Sequence, residues 1–345
     1  MTGQAVTGQA VTGQAVTGQA VTGQAVTGPA LARSVVDRAT HRRTDAPWLD
    51  AAWSRARVLV VDPSGRTLVG EDPGGGVRLV FVDAPGAPDG ERLFLGVDAA
   101  GTPYFAVVAG LPDIDGARSA TLRQVGAALP DRDSGLFVTA VALANWHATH
   151  RYSPVTGQPT TVAQAGWVRT DGAGTQLFPR TDPAMIVLVH DGVAGPPGRC
   201  LLGTNAAWPV RDGRRFFSIL AGFVEPGESI EAAVTREVYE EVGVRVSAPR
   251  YEASQAWPFP GSLMVGFTAV ADPVQPLRLD PSEIVDARWF SRGEVAALLS
   301  HLPGGAGGPD GAGGGVAGGA GGGAEVTLPG PASIAHFLLR LWVTR

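Results

Sequence analysis

The sequence predicts a mixed α/β (α+β) fold, a sandwich of strands and helices preceded by a smaller, mostly β block. Three observations carry this. Short β-rich runs punctuated by turn residues occupy the first half, and apolar strands alternate with amphipathic helices from about Arg180 onward. No GxGxxG follows a strand, which argues against a βαβ nucleotide fold. With 44% hydrophobic residues the chain can form a sizeable core.

The elements follow in order. The first thirty residues are six five-residue units: MTGQA, four copies of VTGQA, then VTGPA. A period of five fits neither a helical stripe nor strand alternation, and the repeat is uncharged and sparse in apolar side chains. Residues 1–45 are therefore expected to form a disordered tail. Residues 46–150 make the first block. Its strands are read at Arg57–Val61, Val77–Val82, Arg92–Val97 and Tyr104–Val108, separated by Asp-Pro, Pro-Gly and Asp-Gly turns. A helix from about Asp133 to His150 closes it. The second block, 181–345, has strands at Ala184–His190, Arg199–Thr204 and Leu263–Ala271, with helices at Ser229–Val242 and Ala332–Val343. Within it, Gly304–Ala324 holds 13 Gly in 21 residues and reads as a flexible loop insertion.

Composition excludes several classes. A single cysteine, Cys200, leaves no disulfide framework and no four-cysteine zinc site; on a strand, it is expected to be a buried small apolar residue. No apolar run reaches the roughly 18–20 residues needed to span a bilayer. No basic n-region or apolar h-region precedes Arg33, so a cytoplasmic protein without membrane association is expected. A net charge of −5 speaks against a general nucleic-acid binder held by phosphate contacts. His147 and His150 form an HxxH pair without acidic or thiol partners, expected on a helix surface rather than at a metal.

The stretch Ala221–Val244, AGFVEPGESIEAAVTREVYEEVGV, carries the chemistry. Pro226 and Gly227 make a turn, Ser229 is placed to cap the helix, and Gly243 to end it. Ile230, Val234, Val238 and Val242 recur every four residues as one buried face. On another face Glu237 precedes Glu240 and Glu241 by three and four residues, which stacks the carboxylates within about 5–6 Å. Like charges so placed destabilise a bare helix. A hard divalent cation, Mg²⁺ or Mn²⁺, offsets that cost and can bridge the carboxylates to a phosphate. A solvated acidic face would leave the Gly-Phe-Val-Glu-Pro-Gly-Glu approach loop and Arg236 unexplained.

Gly222, Glu228, Arg236, Glu237, Val238, Glu240, Glu241, Gly243 and Val244 match every defined position of the Nudix box. The chain thus resembles the Nudix hydrolases, which implies an α/β/α sandwich holding a divalent metal against a substituted diphosphate. A second motif, Ser254–Ser262 (SQAWPFPGS), resembles the SQPWPFPxS signature of the NADH pyrophosphatase (NudC-like NAD diphosphatase) subgroup, with Ala256 in place of a proline. Trp257 and Phe259, set between Pro258 and Pro260 and followed by Gly261, read as a rigid aromatic wall for a base. Gln255 and Ser262 read as polar orienters.

The resemblance further implies that Glu283 is a metal ligand or catalytic glutamate outside the box and that Ala221 supplies a carbonyl to the metal. It implies that Phe223 stacks the adenine, that Ala335 and Arg123 touch substrate, and that Phe178 stands where relatives carry a substrate-contacting tyrosine. Arg236 and Glu228 are implied to pair and orient the loop, with Glu240 or Glu283 as general base. Relatives carry a four-cysteine zinc ribbon between the domains. Here Ser153 and Thr156 occupy the first cysteine pair and the second falls in TDGAG, so residues 151–180 are expected to be a ribbon-like connector without structural zinc.

The function so implied is hydrolysis of the NAD(H) pyrophosphate to nicotinamide mononucleotide and AMP, by a homodimer. NAD-cap removal from RNA, hydrolysis of ADP-ribose or another nucleoside diphosphate derivative, and a non-catalytic nucleotide-binding module are the alternatives. An intact set of box glutamates argues against the last.

Overall fold

A computed structural model describes residues 28–210, 213–300 and 325–345. Most of the VTGQA repeat and the whole Gly-Ala insertion, read above as a disordered tail and a flexible loop, lie outside the described residues.

The first block forms a seven-stranded sheet. Its central path runs Val77–Leu79, Arg66–Glu71, Arg57–Val61, Pro103–Val108 and Arg92–Val97, with Arg57–Val61 and Pro103–Val108 parallel. Arg66–Glu71 is a strand beyond those expected, its apolar alternation interrupted by Gly70 and its two charged ends. The long helix Asp131–Thr149 covers one face. Leu136, Phe137, Ala140, Val141 and Leu143 pack there against Leu59, Val61, Leu93 and Leu95.

Residues 28–45 correct the expectation of disorder up to 45. Leu31 is buried in this core, and the Arg33 guanidinium donates to the carbonyls of Gly126, Ala127 and Leu129 and to the Asp131 carboxylate. Asp37 pairs with Val97 at the sheet edge. Sparse apolar residues suffice when a preformed groove receives them.

The connector makes a three-stranded sheet of Thr160–Ala163, Val168–Asp171 and Gln176–Leu177. Ser153 Oγ accepts from the Val155 and Thr156 amides, at 3.4 and 3.3 Å, and Thr156 Oγ1 donates to Asp171 at 2.7 Å. The other Asp171 oxygen accepts from the Ala173 and Thr175 amides. The turns are therefore closed by one carboxylate and by hydroxyls, including those of Ser153 and Thr156, which the resemblance sets at the first cysteine pair. The Thr156 hydroxyl and these amides hold the Asp171 carboxyl down to about 2.

His147 corrects the surface expectation for the HxxH pair. It is buried, its Nδ1 accepting from Arg169 at 2.9 Å and its Nε2 donating to the Gly166 carbonyl at 2.8 Å. It fastens the connector to the long helix.

The second block contains a six-stranded sheet ordered Ser247–Trp257, Ser262–Val270, Asp182–His190, Arg199–Asn205 and Ile284–Ser291, with Leu220–Phe223 added on Asp182–His190. Helix Ile230–Val242 packs on one face and Ile334–Thr344 on the other, giving a helix–sheet–helix sandwich. Ala233, Val234, Val238 and Val242 meet Met185, Val187, Val265 and Phe267 in one core. Cys200 is fully buried on its strand, and burial raises its thiol pKa. Among the described residues no helix is long and apolar enough to cross a membrane.

Candidate active site

The acidic helix is set by its ends. Ser229 Oγ accepts from the Ala232 amide, and Gly243 stops the helix in the left-handed region at φ 71°. Arg278 and Asp280 amides take the Val242 and Glu241 carbonyls, bringing the segment that leads to Glu283 against the same helix end.

Arg236 organises the carboxylates. It grips Glu228 with Nε and Nη2, both at 2.9 Å, and Nη2 also donates to the Phe223 carbonyl. Its Nη1 reaches Glu240 at 2.9 Å and Glu237 at 3.0 Å. This pairing holds Glu228 below the usual carboxylate range and raises Arg236 further. Burial lifts Glu237, against the pull of Arg236, and the charges of Glu240 and Glu283 add to the lift.

Glu241 is different in kind. It is buried, its Oε2 has no hydrogen-bond partner, and burial followed by the charges of Glu237 and Glu283 pushes it up to about 8. An orphaned buried carboxylate facing further carboxylates is expensive unless a cation compensates it.

The backbone beside it is shaped to match. A Cβ on Gly222 would sit 2.0 Å from the Glu237 carboxyl carbon, so only glycine leaves that carboxylate its place. Among the described residues no three acidic, histidine or cysteine side chains converge as a closed metal shell, and Arg236 pairs with both Glu237 and Glu240. The oxygen-only donor set and the orphaned Glu241 atom nevertheless fit Mg²⁺ or Mn²⁺.

Beside this cluster lies a cavity of about 670 Å³ between the two blocks. Ala221, next to Gly222, lines it, as do Trp257, Phe259, Arg123 and Ala335. Trp257 and Phe259 meet edge to face at 4.9 Å, and the Arg123 guanidinium lies over both rings, at 4.8 and 4.1 Å. Asn145, from the long helix, donates to the Pro258 and Pro260 carbonyls and so anchors the turn. Gly261 and Ser262 belong to the same turn, where the Gly261 carbonyl accepts from Asp182 and Ser262 pairs with Trp257. Ala256 sits in the ladder opposite Leu263, so strand pairing holds the backbone where the resembled signature has a proline.

Several expected contacts lie elsewhere. Gln255 is not in the cavity: it is 1% exposed, its oxygen accepting from the Leu31 amide and its nitrogen donating to the Ala332 carbonyl. It ties the ordered N-terminal segment to the start of the last helix. Phe223 and Phe178 are 59% and 51% exposed and line no part of the cavity within one chain.

Residues not read from the sequence also reach the cavity. Trp208 lines it and packs edge to face on Phe216 at 4.7 Å. Its loop grips the Glu283 carbonyl through the Ala206 amide at 2.7 Å. An isolated tryptophan among turn residues was the available signal.

Both blocks are similar to known proteins. A NUDIX domain is matched over residues 180–306, and an NADH pyrophosphatase-like rudimentary NUDIX domain over 51–146. The chain is 41% identical to the NAD-capped RNA hydrolase NudC of Mycobacterium tuberculosis over 306 residues, covering 87% of this chain and 90% of that one. It is 37% identical to the human NAD-capped RNA hydrolase NUDT12 over 183 residues, covering 50% of this chain and 37% of that one. A NUDIX hydrolase structure from Nitrosomonas europaea covers 42% of this chain and 79% of its own at 19% identity, with a TM-score of 0.33.

Proposed function

The chain belongs to the Nudix family, alongside NudC-type hydrolases, and from that premise we propose that it cleaves the pyrophosphate of NAD(H) to nicotinamide mononucleotide and AMP. One observation carries the reading. An orphaned, buried Glu241 feels the charge of Glu237, whose carboxylate lies against Gly222, and the neighbouring Ala221 opens onto a cavity walled by aromatic rings. The strand Leu220–Phe223 thus meets the carboxylate cluster at Gly222 and the aromatic cavity at Ala221.

Glu237, Glu240, Glu241 and Glu283, with the Ala221 carbonyl, would hold Mg²⁺ or Mn²⁺, which neutralises pyrophosphate charge and favours ionisation of water. The chain's own groups do the rest. Arg236, through Glu228 and the Phe223 carbonyl, keeps the box loop in register with the helix. Trp257 and Phe259 offer their faces to a base, and Arg123 closes over them from the other block. Attack of water on phosphorus releases a proton, which passes to a carboxylate. Glu240 or Glu283, the exposed members, would receive it.

The same cut on an NAD-capped RNA is the second reading, favoured by the activity named for the relatives. The protein acts as a cytoplasmic homodimer in this proposal. Phe178 and Phe223 lie exposed outside the cavity of their own chain, where a second subunit can reach them. Release of AMP from NADH, ADP-ribose and NAD-capped RNA at equal concentration, with Mg²⁺ or Mn²⁺, is the test. Fastest turnover of ADP-ribose would overturn the substrate assignment. Binding of these dinucleotides without any hydrolysis would overturn catalysis.

A further inference from the structure

A second cavity, of about 530 Å³, lies in the N-terminal block, and the site described above does not use it. Every basic side chain in this protein is an arginine or a histidine, since the sequence has no lysine. Three of the arginines, Arg57, Arg78 and Arg132, line this one hollow. That is a concentration of positive charge in a chain whose net charge is −5.

The arginines are held ready. Arg132 is fixed through Nε by Asp133 at 2.8 Å, and Asp133 is itself fully buried, its other oxygen accepting from the Leu79 amide. Arg78 is fixed through Nε on the Glu71 carbonyl. The terminal guanidinium nitrogens of both have no partner among the described residues. Arg57 reaches Asp83 at 3.3 Å, an exposed pair worth little in water.

The one acidic residue lining the hollow is already engaged. Asp98 accepts from the Ala100 and Thr102 amides through one oxygen and from the Tyr104 hydroxyl through the other. Half-buried Phe81 supplies an aromatic surface, backed edge to face at 5.4 Å by the buried Tyr104, with Arg57 over Phe81 and Arg132 over Tyr104. Guanidinium forks beside an aromatic ring suit a phosphate attached to a nucleoside, the fork taking the phosphate oxygens and the Phe81 ring a base.

We propose that this hollow is a second, non-catalytic site that binds the phosphate group of a nucleotide. The phosphate could be supplied by the RNA chain of a capped substrate or by a free nucleotide. The RNA source rests on the cap-removal reading above. Geometry allows it: Arg57 opens a strand, Arg57–Val61, that rises about 13 Å toward the Ser64–Arg66 turn at the rim of the catalytic cavity.

The test uses the full chain and the Arg57→Glu/Arg78→Glu double variant, with Arg78→Glu alone as a milder second variant. Arg132 is left in place because removing it would strand the buried Asp133. Binding of a labelled, 5′-phosphorylated single-stranded RNA is followed by anisotropy across a salt series, and binding of AMP and inorganic phosphate by calorimetry. NADH hydrolysis is measured in parallel and is expected to stay within about twofold, since neither arginine touches the catalytic cavity.

If RNA is the source, the double variant binds it at least tenfold more weakly. The slope of log affinity against log salt then falls by about 1.4, the loss of two contacts to a single strand. If free nucleotide is the source, RNA binding is unchanged while AMP and phosphate binding weaken tenfold. Unchanged binding of RNA, AMP and phosphate by a folded variant overturns the proposal. Absence of NADH hydrolysis in the unmodified protein would instead count against the catalytic reading, whatever the binding series shows.

Discussion

At the scale of single residues, chemistry rests on atoms that are uncomfortable without a counter-charge. Glu241→Gln removes a buried, partnerless carboxylate, so folding should be unharmed while turnover falls at least about 100-fold. A melting curve and NADH turnover measured side by side check this, and retained activity would remove Glu241 from the metal group. Gly222→Ala makes a complementary case. Its new Cβ would collide with the flexible end of Glu237 rather than with backbone, so the expected result is little change in melting temperature and a large fall in kcat. Glu237, Glu240 and Glu241 were legible because helical spacing alone stacks them. That Gln255 bonds Leu31 and Ala332 instead of facing the cavity was not, since both partners lie far away in sequence.

At the scale of elements, loops hold what the helix and strands present. Trp208 sits in a turn whose Ala206 amide holds the Glu283 carbonyl. Trp208→Ala should raise KM for NADH several-fold and Trp208→Phe should restore most of it; equal KM values for all three proteins would exclude the ring from binding. The connector shows a substitution of bonding type. Asp171 is depressed to about 2, below the roughly 3.9 of an unfolded aspartate. Its contribution is therefore complete above about pH 4 and disappears as pH falls through about 2. Asp171→Asn should melt earlier than the unmodified protein at pH 7, with the gap closing near pH 2. A gap that does not change with pH would mean that the carboxylate's charge is not what closes the turns. Serine and threonine were visible at these positions, whereas their convergence on Asp171 depends on the connector's folding.

At the scale of the whole molecule, the two blocks meet through Ala256, Trp257 and Phe259 packed on the first block's core and through the polar ties of Gln255 and Asn145. His147, His190 and His336 all have pKa values lowered by burial. Each gains its proton more easily in the unfolded chain, so stability is full above about pH 6.5 and declines as pH falls below it. Melting temperature should drop between pH 7 and 5, and a flat profile would contradict the buried, neutral assignment. The ordered N-terminal segment is part of the same framework. Leu31→Ala should cost about 2–4 kcal/mol in urea denaturation, because Leu31 fills the core beneath the long helix.

Much about this protein was determined by sequence alone: the two blocks, the acidic helix with its capping residues, and the aromatic turn between prolines. These are local patterns, in which spacing of three, four or two residues sets which side chains share a face. What the tertiary structure decided are the pairings across long separations. It placed Arg123 over Trp257 and Phe259 and set Asn145 against the turn that carries them. It also ordered residues 28–45 and gathered three arginines into one hollow. No periodicity encodes such contacts. They arise when sheets close against helices, and burial then selects the polar groups that can satisfy one another.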